Sequence, residues 1–273
     1  MTPQEAGALL SPTHRGALRA AYRILEQPDF AARLSEAAGR PVNQLLKLSP
    51  GVERRVMRTV ERALRRAAGA AARSLEPTGG RGNASLALAG ASGAISGFFG
   101  PAALALELPV TTTLILRAIA EVARRHGEDP SRLETRMECV AVLGLAGGRW
   151  GAGADVGYFA ARAALARFVA NAGGALIERG AASATAPAVS RVAGAVAPRF
   201  GVVVSERAAA SALPVLGALG GATLNLLFVR HFERAAHGHF TVRRLERLYG
   251  PEVVHAFYRS LGTAAARPKA LPR

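Results

Sequence analysis

The chain has 273 residues, half of them hydrophobic, and a net charge of +16 from 35 Lys and Arg against 19 Asp and Glu. That length is enough for one large domain or two small ones, and the composition can fill a sizeable core. The single cysteine, Cys139, excludes a disulfide framework or a cysteine zinc site within one chain, which fits a reducing cytoplasm. The surplus of base is almost entirely arginine and implies attraction to a polyanion. Aromatics make up only 5% of the chain and are nearly missing from its basic segments, which disfavours nucleic acid and favours an anionic membrane face.

No run with the two-residue period of a strand is convincing, apart from short pieces such as Val202 to Val204. Met1 to Leu10 has no cationic segment ahead of an apolar one and does not read as a signal peptide. Ser11-Pro12 and Ser49-Pro50 each read as a helix cap followed by proline at the first helical position. Gly39 ahead of Pro41 reads as a stop. Val52, Val56, Val60 and Leu64 recur every four residues and make one apolar stripe, with Arg55, Arg58, Arg62, Arg65 and Arg66 largely opposite. This is a basic amphipathic helix, suited either to a membrane surface or to the outside of an ordinary bundle. Glu76 to Asn83 reads as a linker. The predicted organisation is therefore a basic N-terminal helical segment over 1–80, a core over 84–262 and a disordered tail over 263–273.

Two stretches carry no charge at all, Ala84 to Leu106 and Ala208 to Val229. Each is long enough to span a bilayer, yet each is rich in Gly and Ala and carries a proline (Pro101, Pro214). Gly90, Gly93, Gly97 and Gly100 share one helical face, a device for close contact between helices. The expected form is a pair of apolar helical hairpins. Between the stretches, Pro109 to His126 reads as a helix closed by Gly127, Asp129-Pro130 opens the next, and Asp155 to Arg179 is a long Ala-rich helix. Ala181 to Pro198 reads as a low-complexity connector. Beyond the second stretch, Gly238 reads as a break and Thr241 as the cap of a short helix that Gly250 ends, with Pro251 starting the last one.

Two long blocks resemble the EcsC protein family. They are GFFGPAALALELPVTTTLILRAIAEVARRHGED, from Gly97 to Asp129, and LPVLGALGGATLNLLFVRHFERAAHGHFTVRRLERLYG, from Leu213 to Gly250. The resemblance extends over Gly97 to Tyr258. It implies a bacterial, all-helical protein, cytoplasmic or membrane-associated, in a family named for a protein encoded beside an ABC transporter. It supplies no catalytic residue.

Four sets of residues could carry chemistry. His231, His237 and His239 are candidate metal ligands if a break at Gly238 lets their rings converge; that arrangement would serve a metal-dependent hydrolase, the alternative reading of function. Thr241, Arg243 and Arg244 could bind an anion with the free N–H groups of a helix start. Arg117 could neutralise Glu107 or Glu121, and Asn225 adds a polar group inside the second apolar stretch. Either these fix the register of apolar helices, or they line a polar cavity facing a membrane. The glycines after Cys139 have the wrong spacing for a dinucleotide loop, and neither a P-loop nor a G-x-S-x-G motif is present.

The sequence thus predicts an all-α helical bundle with Gly/Ala-rich apolar hairpins, suited to membrane association. The expected protein is a non-enzymatic accessory factor of bacterial envelope or transport biology that needs no cofactor. It would sit at the inner face of the cytoplasmic membrane, peripheral or embedded. An anionic leaflet or a membrane protein such as a transporter would be its partner.

Overall fold

The computed structural model describes residues 1–26, 30–37, 50–73, 100–147, 157–167, 181–211 and 220–266. Among the described residues there are ten helices and no strand. They are α1 (Pro3–Leu9), α2 (Pro12–Glu26), α3 (Phe30–Ala37), α4 (Pro50–Arg73), α5 (Gly100–Arg125), α6 (Leu133–Leu145), α7 (157–167), α8 (Ala181–Ser211), α9 (Gly220–Tyr249) and α10 (Pro251–Ala266).

Local chemistry sets several helix ends. Thr2 and Glu5 form a reciprocal capping box on α1. The Ser11 hydroxyl accepts from the His14 amide at 3.2 Å, so α2 starts where its Ser-Pro pair predicts. α5 ends on Gly127 at φ +80°, with the Glu128 amide donating back to the Ala123 carbonyl and the Gly127 amide to that of Arg124. This is a Schellman closure, which needs the left-handed conformation that glycine adopts freely. Gly250, at φ +85°, separates α9 from α10 in the same conformation.

Tertiary packing overrides several sequence signals. Pro109 lies inside α5 rather than at its start. The Thr112 and Thr113 hydroxyls donate to the Leu108 and Pro109 carbonyls at 2.7 and 2.9 Å. Asp129 folds a turn, accepting from the Ser131 amide at 2.9 Å, and α6 begins only at Leu133. The segment from Ala181 is no connector, since α8 runs through Pro187 and Pro198 to Ser211. Its Val192, Val196 and Phe200 are buried, and that burial holds the helix. Thr263 to Ala266, expected in the tail, continue α10.

Gly238 is the most consequential difference. It does not break the chain, because α9 runs unbroken from Gly220 to Tyr249. A Cβ at Gly238 would come 2.9 Å from Leu25 Cγ. The residue is glycine because α2 crosses α9 there, and not because a turn is needed.

α9 is the organising element and packs against α2, α3, α5, α6, α8 and α10. Phe228 and Phe232 on α9 meet Phe200 on α8 and Phe30 on α3 in a chain of edge-to-face contacts. α4 lies against α5 and α8, with Val56, Val60 and Leu64 buried. Its apolar stripe is therefore used in the core, and Arg54, Arg55, Arg58 and Arg62 are left exposed.

The first apolar stretch falls largely outside the described residues, as do 212–219 of the second, the glycine face from Gly90 to Gly97, the linker at Glu76 to Asn83 and the stop at Gly39. Where the second stretch is described, Leu224, Phe228 and Val229 are buried within the protein. Among the described residues, no helix is long and apolar enough to cross a membrane.

Candidate functional site

Continuity of α9 decides where its polar side chains point. His239, Arg243 and Arg247 follow one another at intervals of four and line one face. That face meets α6 and the turn after Gly127. Glu134 and Glu138, also four apart, look back from α6, and Glu128 looks back from the Schellman closure. The result is a layered ionic cluster at the junction of α5, α6 and α9.

Arg243 is its centre. Its guanidinium donates to Glu128 Oε1 at 3.0 Å, Glu138 Oε1 at 2.8 Å and Glu134 Oε1 at 3.1 Å. Arg247 donates to Glu128 as well, and to the His126 carbonyl at 2.8 Å. Glu138 uses its second oxygen to accept from His239 Nε2 at 3.1 Å. His239 Nδ1 lies 2.9 Å from the Tyr158 hydroxyl on α7. The carboxylate can only accept, so Nε2 carries the imidazole proton and the tyrosine donates to Nδ1. Each polar atom in this chain of contacts has a complementary partner.

A second arm continues along the same face of α9, two turns beyond His239. Glu246 accepts from Arg162 at 2.8 Å and from His255 Nε2 at 2.9 Å, which ties α7 and α10 to α9. Glu26 on α2 accepts from the Tyr158 amide at 3.2 Å and the Tyr258 hydroxyl at 3.1 Å. Glu26 thereby links helices 132 and 232 positions apart in sequence.

Burial and neighbouring charge oppose each other here. Burial pushes the Glu138 carboxyl up, but the His239 hydrogen bond and the Arg243 charge hold it well below the ordinary carboxylate range. Burial likewise raises Glu246, and the bonds from His255 and Arg162 outweigh it, bringing it to about 2. Burial lowers His239 and keeps it neutral, even beside a carboxylate. The Tyr158 and Cys139 hydrogens are held on by burial, so neither group is a nucleophile. Glu138, His239 and Tyr158 form a carboxylate, imidazole and hydroxyl series, yet His239 is fully buried and Tyr158 is 1% exposed. The arrangement is a polar staple without an exposed reacting atom.

The remaining sequence candidates separate. His231, His237 and His239 face three different ways on a straight helix. His231 Nε2 donates to the Ala146 carbonyl at the end of α6 at 2.9 Å, and its ring packs edge-on against Phe30 and Phe232. His237 Nδ1 lies 3.3 Å from Nε2 of His126, in the turn just past α5. The three rings do not converge, and among the described residues no group of three or more His, Cys, Asp or Glu is placed to hold a metal. Thr241 is mid-helix, so its amide is not a free donor at a helix start, and three carboxylates already occupy Arg243. Arg244 is exposed beside His126. Glu121 binds Arg124 at 2.5 Å and Arg125 at 3.2 Å rather than Arg117, which is exposed. The Glu107 side chain lies outside the described residues, and Asn225 is buried in α9.

The histidines and carboxylates make stability depend on pH. Burial lowers His126, His237 and His239 below 6.5, and cationic neighbours add to this: Arg244 and Arg247 at His126, Arg125 at His237. An unfolded chain therefore binds these protons first as pH falls, and their contribution, full above pH 6.5, is lost on the way down. Glu128, Glu138 and Glu246 are depressed from 4.5, so their contribution is lost in turn between pH 4.5 and about 2. Urea midpoints should accordingly fall between pH 7 and 5 and fall again below 4.5. A midpoint that stays flat from pH 8 to 4 would contradict these environments.

Fold and site together define an all-α protein whose long α9 is fastened to its neighbours by a buried network of ion pairs and imidazoles. The chain belongs to the EcsC protein family, which it matches over residues 76–245. That range holds the whole of the Arg243 cluster except Arg247, together with the Glu138, His239 and Tyr158 series. No curated protein and no solved structure matches the chain.

Proposed function

We propose that this protein is a non-enzymatic accessory factor that works at the anionic inner face of the bacterial cytoplasmic membrane, in envelope or transport biology. One observation carries the reading. The surplus of base is displayed as rows of exposed arginine, led by Arg54, Arg55, Arg58 and Arg62 on the outer face of α4. Arginines held near an anionic leaflet contribute about 1 kcal/mol each, so one such row supports reversible attachment. The uncharged stretches Ala84 to Leu106 and Ala208 to Val229 support the finer reading, in which apolar Gly/Ala-rich hairpins add to the contact. The buried network supports a non-catalytic role, because its titratable groups satisfy one another and not a substrate.

Co-sedimentation with vesicles tests this. The protein should pellet with phosphatidylglycerol-containing vesicles at low salt, less so as salt rises, and little with pure phosphatidylcholine. Absence of binding to the anionic vesicles at low salt would end the proposal.

A further inference from the structure

α8 meets solvent along a face that carries no polar side chain. From Val192 to Ser211 its exposed residues are Gly194, Pro198 and Val202. They stand four apart and so share one helical face over more than two turns. A helix face left in water is ordinarily polar or charged. The contacts that hold α8 use other residues. Val196 meets Gly144 and the Arg199 carbonyl meets Gly147 at the end of α6, while Gly201 meets Met57 on α4. Val202 is 47% exposed, and a Cβ added at Gly194 would meet nothing within 4 Å among the described residues.

The Gly201 contact fixes what lies beside this face. A Cβ at Gly201 would come 2.5 Å from Met57 Sδ, so α4 and α8 touch closely there. The next residue of each helix, Val202 and Arg58, is exposed. Both therefore lie on the outer side of the α4–α8 layer, away from the core that the two helices share. Arg54, Arg58 and Arg62 are exposed and again four apart. A ridge of guanidiniums on α4 thus runs alongside an uncharged ridge on α8. Adjacent cationic and apolar strips are what an interfacial surface presents to a bilayer. Phosphate headgroups take the guanidiniums, and the acyl boundary beneath them takes short apolar side chains. An acidic soluble partner would match the α4 ridge alone, since the α8 ridge offers it no cation and no side-chain donor.

We propose that the outer face of α4 and α8 is the surface that lies on the anionic leaflet, with Gly194, Pro198 and Val202 entering it and Arg54, Arg58 and Arg62 at the headgroups. This deepens the membrane reading and rests on it. It adds an orientation for the protein and an apolar contribution from α8 that salt does not screen.

The test exploits Cys139, the single cysteine, which is fully buried. A cysteine introduced at the surface therefore takes a polarity-sensitive thiol dye selectively. Full-length Val202→Cys and Leu248→Cys are labelled; Leu248 is comparably exposed, at 56%, but lies on α9. Both are titrated with phosphatidylglycerol vesicles, and co-sedimentation reports binding independently. The Val202 dye should shift to the blue on binding, and the Leu248 dye should keep its aqueous spectrum. Without dye, Val202→Gln and Arg58→Gln should each weaken binding about fivefold, and Leu248→Gln should leave it unchanged. An unaltered Tm in each variant separates lost binding from a damaged fold. Vesicle binding with an unshifted Val202 dye, or with Val202→Gln as tight as wild type, overturns the orientation and leaves the membrane reading standing. A blue shift at Leu248 as well overturns the assignment to one face. Absence of wild-type binding to these vesicles overturns both.

Discussion

Replacing Arg243 with Met should cost about 3–5 kcal/mol of folding stability, the usual penalty for breaking a buried ionic cluster from one side. The substitution removes the donors of three carboxylates at once. Two of these, Glu128 and Glu138, have side chains only 8% and 14% exposed, so water cannot replace what they lose. Glu138 also holds the orientation of His239, so the damage should spread to Tyr158. The control is Arg124→Ala. Arg124 pairs with Glu121 but is 52% exposed, and its loss should cost less than about 1 kcal/mol. Adding Glu138→Leu to Arg243→Met should recover part of the loss, because one stranded charge is removed with its partner. Urea unfolding of the three variants measures this. A loss below about 1 kcal/mol for Arg243→Met would show that the cluster is solvated and not structural.

Gly147→Ala should be comparably damaging, at about 3 kcal/mol, the upper part of the usual range for overpacking. Gly147 lies just past the end of α6, where that helix meets α8. A Cβ there would strike the backbone carbonyl of Arg199, which cannot move without shifting the whole of α8. One turn earlier on the same contact, a Cβ on Gly144 would sit 3.1 Å from Val196 Cγ2, so the end of α6 meets α8 through two glycines. Two other glycines calibrate the effect. At Gly201 the obstacle is the Met57 sulfur at 2.5 Å, a flexible tip that can swing aside, so Gly201→Ala should cost less. Gly194 sits in exposed helix with nothing near its missing Cβ, and Gly194→Ala should add up to about 1 kcal/mol of stability from helix propensity alone. A thermal unfolding series that does not rank these three in that order would contradict the close approach of α6 and α8.

Much of the fold was legible because its signals are local. Ser11-Pro12, Gly127 and Gly250-Pro251 act through caps and left-handed glycines that depend on a few neighbouring residues. The stripe from Val52 to Leu64 was legible as a periodicity, although not which surface it meets. The difficult positions are those whose meaning is tertiary. Gly238 has the same composition whether it breaks a helix or admits Leu25, and only the path of α2 decides between them. Pro109 reads as a helix start and Ala181 to Pro198 as a connector, yet α5 and α8 run through them, with Leu108, Val196 and Phe200 buried alongside. The small-residue device appears where the contacts are described, between α6 and α8 and between α2 and α9.

The candidate site was legible in half. His239 and Arg243 could be read as candidates from α9, since they lie four residues apart in one polar run. Glu128, Glu134, Glu138, Tyr158 and Arg162 could not, because each sits 80 or more residues from its partner on α9 and sequence spacing carries no sign of the meeting. Glu134 and Glu138 offered one usable hint, two carboxylates four apart on one helical face with no base three or four positions from either. The family match covers most of this cluster but names no chemistry for it, which leaves the network as the best-defined polar feature of the molecule.

The whole arrangement depends on α9 passing straight through Gly238, since a break there would turn His239, Arg243 and Arg247 away from α6. Hydrogen–deuterium exchange across His231 to Tyr249 tests this most directly. The account predicts that the amides from Gly238 to Thr241 exchange as slowly as those of the flanking turns, limited by global unfolding. Fast exchange confined to Gly238 to Thr241, as at the junction of two separate helices, would contradict it.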